Sequence, residues 1–204
     1  MIGRMSLRSG IFVLCGFVVA CNSSEPLSTP AATSAPAATS SEVTGIVPKN
    51  AIVTLLPASG APPIPAEPAL LDQISKQFLP HTLLVQLGQP VEFRNSEDMP
   101  HNVSVVRRES GKEVFNVGTE PHHNYVHTFD RVGEFDVTCD IHEGMEATVI
   151  VARGPMTTIA GDDGRFTLPN VAFGSYTLSL TYSGQTVEQA VEVRGARTDV
   201  KLSR

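Results

Sequence analysis

From Ser41 onward, apolar residues recur at every second position, and Gly, Pro, Asn and Asp interrupt that rhythm every few residues. A chain patterned this way has one wet and one dry face per strand and must bury the dry faces in pairs, so the expected class is all-β. In the stretch 134–139, Phe135, Val137 and Cys139 share one face while Glu134, Asp136 and Thr138 take the other, so the thiol points with the core. Ala147, Val149 and Val151 continue the pattern in the next strand. Val85, Leu87, Val91 and Phe93 alternate with Gln86, Glu92 and Arg94 about a Gly88-Gln89-Pro90 break, which predicts a half-buried hairpin. The single stretch with a helical look, 69–78, has no cap and reads as irregular or a short turn. Charged residues at 18%, aromatics at 6%, 16 Gly and 15 Pro exclude a long coiled coil or an acidic disordered chain.

The first residues carry a different message. Arg4 and Arg8 precede the apolar run 11–20, which has the layout of a secretory leader and is too short for a comfortable membrane span. Its end, Val18-Val19-Ala20-Cys21, resembles a bacterial lipobox, which implies cleavage after residue 20 and lipid attachment at Cys21. Asn22 in the next position implies sorting to the outer membrane, facing the periplasm, or to the cell surface. Residues 22–41 are almost all Ser, Thr, Ala and Pro and are expected to form an extended tether. Cys15 leaves with the leader and Cys21 becomes a thioether, so Cys139 is the one remaining thiol and no internal disulfide can form. An exported chain keeps such a thiol for a reason, and metal ligation is a good one. Lys and Arg total 15 against 21 Asp and Glu, and loss of Arg4 and Arg8 takes the balance to about −8, which disfavours nucleic acid and anionic membrane surfaces.

That thiol stands in Cys139-Asp140-Ile141-His142-Glu143-Gly144-Met145, at the end of an expected strand, and Pro100-His101-Asn102-Val103 lies earlier in the chain. A thiolate, two imidazoles and a thioether make the ligand set of a blue copper site, with a trigonal His2Cys plane and a weak axial Met. A cysteine at a strand end with two more ligands in the next tight turn lets one short loop wrap an ion from three sides. Structural zinc sites seldom use a thioether, and c-type haem is excluded because CxxCH is absent. His122 and His123 with His127 form a weaker candidate for a second metal, and His81 stands alone. Glu97, Asp98, Glu143 and Glu109 fall on loops expected near the ligands and could steer a basic redox partner.

Two family resemblances organise the rest. The segments 91–105 and 133–145 resemble the first-histidine strand and the Cys-His-Met loop of cupredoxins of the plastocyanin and amicyanin type, over about residues 64–152. The resemblance implies a Greek-key β-sandwich binding one copper ion, with His101, Cys139 and His142 as strong ligands, Met145 as the axial one, and Asn95 bracing the ligand loop beside the sulfur. It departs at Ile141, where those families usually have proline, so the loop is expected to be less rigid. Thr44-Gly45-Ile46-Val47, the run 51–55 and the Asp162-Asp163-Gly164 turn resemble the carboxypeptidase regulatory-like (prealbumin-like) sandwich. That module implies no peptidase, and no HExxH is present. The domain organisation expected is therefore a leader over 1–20, a lipidated tether over 21–41, a smaller sandwich from 42–57 with 155–204, and a cupredoxin domain over 64–152. The implied function is electron transfer by a monomeric, lipid-anchored, extracytoplasmic carrier that is not an enzyme and serves redox partners such as a cytochrome c. The rival readings are copper storage or delivery, and a surface protein with a vestigial site.

Overall fold

The computed structural model describes residues 39–60 and 62–202, and among them every regular element is a strand. The leader, Cys21 and most of the Ser/Thr/Ala/Pro segment lie outside the described residues. In chain order the strands are β1 Ser40–Ile46, β2 Ile52–Pro57, β3 Ala69–Ile74, β4 Gln77–Leu79, β5 Thr82–Gln86 and β6 Pro90–Asn95. Next come β7 His101–Arg107, β8 Lys112–Thr119, β9 Asn124–Thr128, β10 Gly133–Thr138 and β11 Glu146–Ala152. The last five are β12 Thr157–Ile159, β13 Arg165–Ala172, β14 Gly174–Tyr182, β15 Gln185–Val193 and β16 Arg197–Val200.

These strands form four sheets around two principal cores. Sheets ordered β5-β11-β10-β7-β8 and β4-β3-β6-β9 enclose Leu71, Phe93, Val105, Phe135, Val137 and Val149, each at most 2% exposed. Sheets ordered β13-β1-β16 and β12-β2-β14-β15 enclose a second core that includes Val43, Leu55, Phe166, Leu178 and Val193. The strands β1 and β2 thus pair only with strands beyond residue 156: β1 lies antiparallel to β13 and parallel to β16, and β2 lies antiparallel to β12 and β14. A small apolar cluster of Ile52, Ile150 and Ala152, with Val132 and Ile159 against it, joins the two sandwiches.

The register sets the poles of the larger sandwich. Neighbouring β7, β10 and β11 are antiparallel, so the start of β7, the end of β10 and the start of β11 lie together. Their other ends, at Arg107, Gly133 and Ala152, face the second sandwich, where Arg107, Arg108 and Glu134 line a cleft with Lys49, Asn50 and Tyr182. Glu109 lines this cleft too, so it stands at the pole away from His101 and Cys139, not near them as the loop position suggested.

Two local expectations are corrected. Residues 69–79 are a hairpin, β3 against β4, turned through Ser75 and Lys76 at φ of 56° and 55°. Leu70, Leu71, Ile74 and Phe78 mimic a helical stripe, but β3 runs parallel to β6, and Leu71 and Phe78 are fully buried between the sheets. The stretch 85–95 is not a hairpin: β5 pairs with β11 in one sheet, and β6 pairs with β3 and β9 in the other. The chain crosses over at Gly88, whose φ is 86°. Around the break, Leu87 N donates to Ala152 O of β11 and Gln86 N to the Gln89 side chain, so neither donor reaches β6.

The Asp-Gly turn locks β1 to β13. Gly164 sits at φ 77°, donates its N–H to Gly161 O and accepts from Val47 N, and a Cβ there would overlap the Val47 carbonyl oxygen. Gly164→Ala is therefore expected to lower unfolding free energy by about 2–4 kcal/mol, through left-handed strain and the backbone overlap together. Urea unfolding of the variant beside the parent would measure it, and a change below about 0.5 kcal/mol would contradict this account of the turn.

Candidate metal centre

His101 opens β7, Cys139 directly follows β10, and Met145 directly precedes β11, so the antiparallel register carries all three to one pole. The loop between Cys139 and Met145 is closed by Cys139 N donating to Met145 O at 3.1 Å and Met145 N donating to His142 O at 3.4 Å. Gly144 takes the left-handed turn at φ 77°. His142 is thereby folded back over the sulfur. His101 Nδ1 lies 3.0 Å from His142 Nδ1, and Cys139 Sγ lies 4.0 Å from His101 Nδ1 and 3.7 Å from His142 Nδ1. A triangle with those sides has a point about 2.1 Å from all three corners, close to the metal–nitrogen and metal–sulfur bond lengths of tetrahedral sites. Among the described residues this is the one group of three or more His, Cys, Asp or Glu side chains within ligating reach of each other.

Hydrogen bonding prepares the donors for a cation. Glu97 approaches His101 Nε2 at 3.1 Å, and a carboxylate there can only accept, so the ring proton lies on Nε2 and the Nδ1 lone pair points into the triangle. Burial works to raise the Glu97 pKa, but the N–H of Lys76 at 2.7 Å and the bond with His101 outweigh it and hold the carboxyl below its ordinary value. His101 is 1% exposed, Cys139 6% and Met145 1%, whereas His142 is partly open to solvent beside Ile141, which is 57% exposed. Met145 packs in the same core cluster as Cys139. Two soft or borderline nitrogens, a thiol and a nearby thioether in a dry pocket with one wet edge fit copper better than a hard cation, which would want oxygen.

Asn95 is fully buried and its role differs from the expected one. Its amide donates to Met99 O, Thr119 O and Glu120 O, and its Oδ1 accepts from Glu97 N at 3.0 Å. It thus braces the loop that brings Glu97 to His101, and none of these partners lies in the 139–145 loop. The residue bonded to that loop is Asn102, whose Oδ1 accepts from Asp140 N at 2.6 Å and whose Nδ2 donates to Asp140 Oδ2 at 3.0 Å. The sequence offered one sign of this, the position of Asn102 directly after a ligand candidate. Gln73 is fully buried and ties Arg94 O to the Thr119 hydroxyl, and its own carbonyl accepts from Ser96 N at the start of the segment that leads to His101.

The other histidines are dispersed. His122 pairs with Asp98 at 2.9 Å, His123 bonds Pro121 O, and His81 contributes its main-chain oxygen to Thr148 N. His127 sits among aromatic rings, 4.6 Å from Phe115 and 4.8 Å from Phe129 between centroids.

Comparison with known proteins agrees with this geometry. Residues 71–152 match the model of the copper binding proteins of the plastocyanin/azurin family. This stretch has the cupredoxin fold. Amicyanin of Paracoccus versutus is 28% identical over 89 residues, which span 43% of this chain and 67% of that protein. Among solved structures, a purple cupredoxin from Nitrosopumilus maritimus is 21% identical with a TM-score of 0.37, covering 41% of this chain and 99% of its own. A reduced amicyanin variant is 23% identical with a TM-score of 0.39, covering 51% of this chain and 100% of its own. The copper-containing nitrite reductase of Thermus scotoductus is 21% identical with a TM-score of 0.39, and the match covers 46% of this chain and 25% of the reductase. The matched family binds copper, and the donor set assembled here fits that metal.

Burial among the rings pushes the His127 pKa below its ordinary value, against the opposing pull of Asp130. The unfolded chain then takes up this proton first, so the stability His127 contributes is intact above about pH 6.5 and is lost as pH falls toward the lowered folded value. His127→Gln should flatten that part of the stability profile between about pH 7 and pH 5. Identical pH slopes for parent and variant in denaturant titrations would refute it.

Proposed function

We propose that this chain is a copper-dependent carrier of single electrons, working outside the cytoplasm, with one type 1 site made by His101, Cys139 and His142 and a weak axial Met145. The observation that carries the reading is the triangle of two imidazole nitrogens and a thiol sulfur, spaced for one ion of bond length about 2.1 Å. When bound, copper supplies a one-electron couple between Cu(I) and Cu(II). The residues do the remainder. His101 is held by Glu97 in the tautomer that ligates, Cys139 and Met145 are anchored in the apolar core, and the short loop keeps the donors near one geometry in both oxidation states. His142 reaches solvent and offers the electron a short way out.

The surface around His142 supports a choice of partner. The exposed side chain of Ile141 stands in the same short loop as exposed Asp140 and Glu143, and Asp98, three residues before His101, and Glu146, directly after Met145, are exposed too. A basic redox protein, such as a c-type cytochrome, would be steered to this face and dock its apolar centre on Ile141. The lipobox-like leader supports anchoring through Cys21, with the Ser/Thr/Ala/Pro tether holding the domains off the membrane as a monomer. The chain is a carrier and not an enzyme in this reading.

The test is one equivalent of Cu(II) added to the full chain in detergent, with visible and EPR spectra recorded before and after ascorbate. An intense thiolate band with narrow copper hyperfine splitting, bleaching reversibly and without loss of metal to a Cu(I) chelator, is expected. Loss of the metal to the chelator would favour a delivery role, and an ordinary cupric spectrum would remove the type 1 assignment. Cys139→Ser should abolish the band, and Met145→Leu should keep it while raising the potential. Electron exchange with a basic cytochrome should slow several-fold as salt rises from about 0.01 M to about 0.15 M, and a flat salt response would count against the acidic docking face.

A further inference from the structure

The cleft between the two sandwiches has a volume of about 530 Å³, the size of a small-molecule site, and such sites favour domain joints. Its floor is apolar: Ile52 is buried, and Val132, Ile159 and Tyr182 are partly buried beside it. Its rim carries the charged side chains of Lys49, Arg107, Arg108, Glu109 and Glu134.

Arg108 and Glu134 are spent on each other, and Arg108 bonds Asp136 as well, so neither is free to answer a ligand. The other three are not committed. Arg107 stands 5.6 Å over the Phe135 ring, which orients its guanidinium without neutralising it. No acid among the described residues pairs with Arg107 or Lys49. Glu109, also without an ion pair among the described residues, rests against the turn between β14 and β15, where Ser183 and Gly184 take φ of 47° and 71°. A Cβ at Gly184 would come within 2.8 Å of a Glu109 oxygen, so the bare glycine is what admits the carboxylate there. Two uncompensated cations and one uncompensated carboxylate thus border one apolar floor. The complement of such a surface carries both signs of charge and an apolar body.

We infer that this cleft binds a small zwitterion with an apolar side chain, of the class of the free hydrophobic and aromatic α-amino acids. Its carboxylate is met by Arg107 and Lys49, its ammonium by Glu109, and its side chain by the floor around Tyr182 and Ile159. Arg107 and Glu109 are two residues apart, hence within about 7 Å along the chain, which suits a ligand whose two charges flank a single carbon. Because the rim is wet, each charged contact contributes little alone and the expected affinity is modest. The site lies at the pole away from His101 and Cys139 and does not depend on the copper reading.

Amide NMR of the metal-free full chain in detergent reads the cleft through Tyr182, Ser183 and Gly184. L-phenylalanine is expected to shift these amides and to saturate below about 20 mM. The probes 3-phenylpropionate and 2-phenylethylamine each lack one of its charges and should bind about threefold more weakly. Glu109→Gln separates recognition from a structural role: phenylalanine should weaken about threefold while 3-phenylpropionate tightens, since the carboxylate that repels it is gone. Lys49→Gln should weaken both of those ligands and not 2-phenylethylamine. Both substitutions alter exposed side chains and spare the core. Absence of a saturable shift with phenylalanine would overturn the proposal, as would a singly charged probe bound as tightly by the parent, or affinities left unchanged in both variants. With no metal present at any stage, failure of this site and failure of the copper reading are separate results.

Discussion

Two imidazole nitrogens 3.0 Å apart beside a thiol sulfur cannot rest together with their lone pairs converging unless a cation or a proton lies among them. The rest of the larger sandwich is arranged so that this crowding persists. Glu97 accepts from the outer N–H of His101, Lys76 and Asn95 hold Glu97, and Gln73 and Thr119 hold the segment behind Asn95. Each of these groups has a partner, and all but the exposed Lys76 are buried or partly buried, which makes the arrangement stiff as well as satisfied. A metal-binding pocket can thus stand ready in the protein fold, with the cost of gathering the ligands met by strand pairing and core burial rather than by the ion.

The legible part of the molecule was the part governed by local periodicity. Phase alternation alone places Cys139 inside with Phe135 and Val137, and all three are buried. The three-residue steps from Cys139 to His142 and Met145 announce a wrapped loop, because that spacing is short enough to be decided within one turn. What was not legible depends on register between distant strands. The Asn102 bond to Asp140 spans 38 positions, and the place of Asn102 directly after His101 hints at a role without specifying the partner. The same holds for the hairpin at 69–79, where the parallel partner β6 decides the conformation, and for the crossover at Gly88, where the tertiary fold and not the turn sequence chooses the sheet. Glu109 was placed wrongly for a simpler reason, since a loop position does not say which pole of a sandwich the loop occupies.

Division of labour between the poles follows from strand direction. The end of the larger sandwich with His101, Cys139 and His142 carries exposed Asp98, Asp140 and Glu143 and the exposed Ile141, whereas the opposite end is occupied by Arg107, Arg108 and the joint with the second sandwich. Arg108 there is committed to Glu134 and Asp136, so its positive charge is largely internal.

The pairing of β1 with β16 has a mechanical meaning. These strands are parallel neighbours, with Glu42 opposite Arg197 and Gly45 opposite Val200. Tension applied at Ser40 and at Val200 would pull them in opposite senses along their own axes, loading the whole ladder between them in shear rather than peeling it bond by bond. Residues 69–152 lie outside that line of force. A chain stretched between a surface at one end and a bound body at the other would transmit the load through the smaller sandwich and leave the three-donor pocket slack.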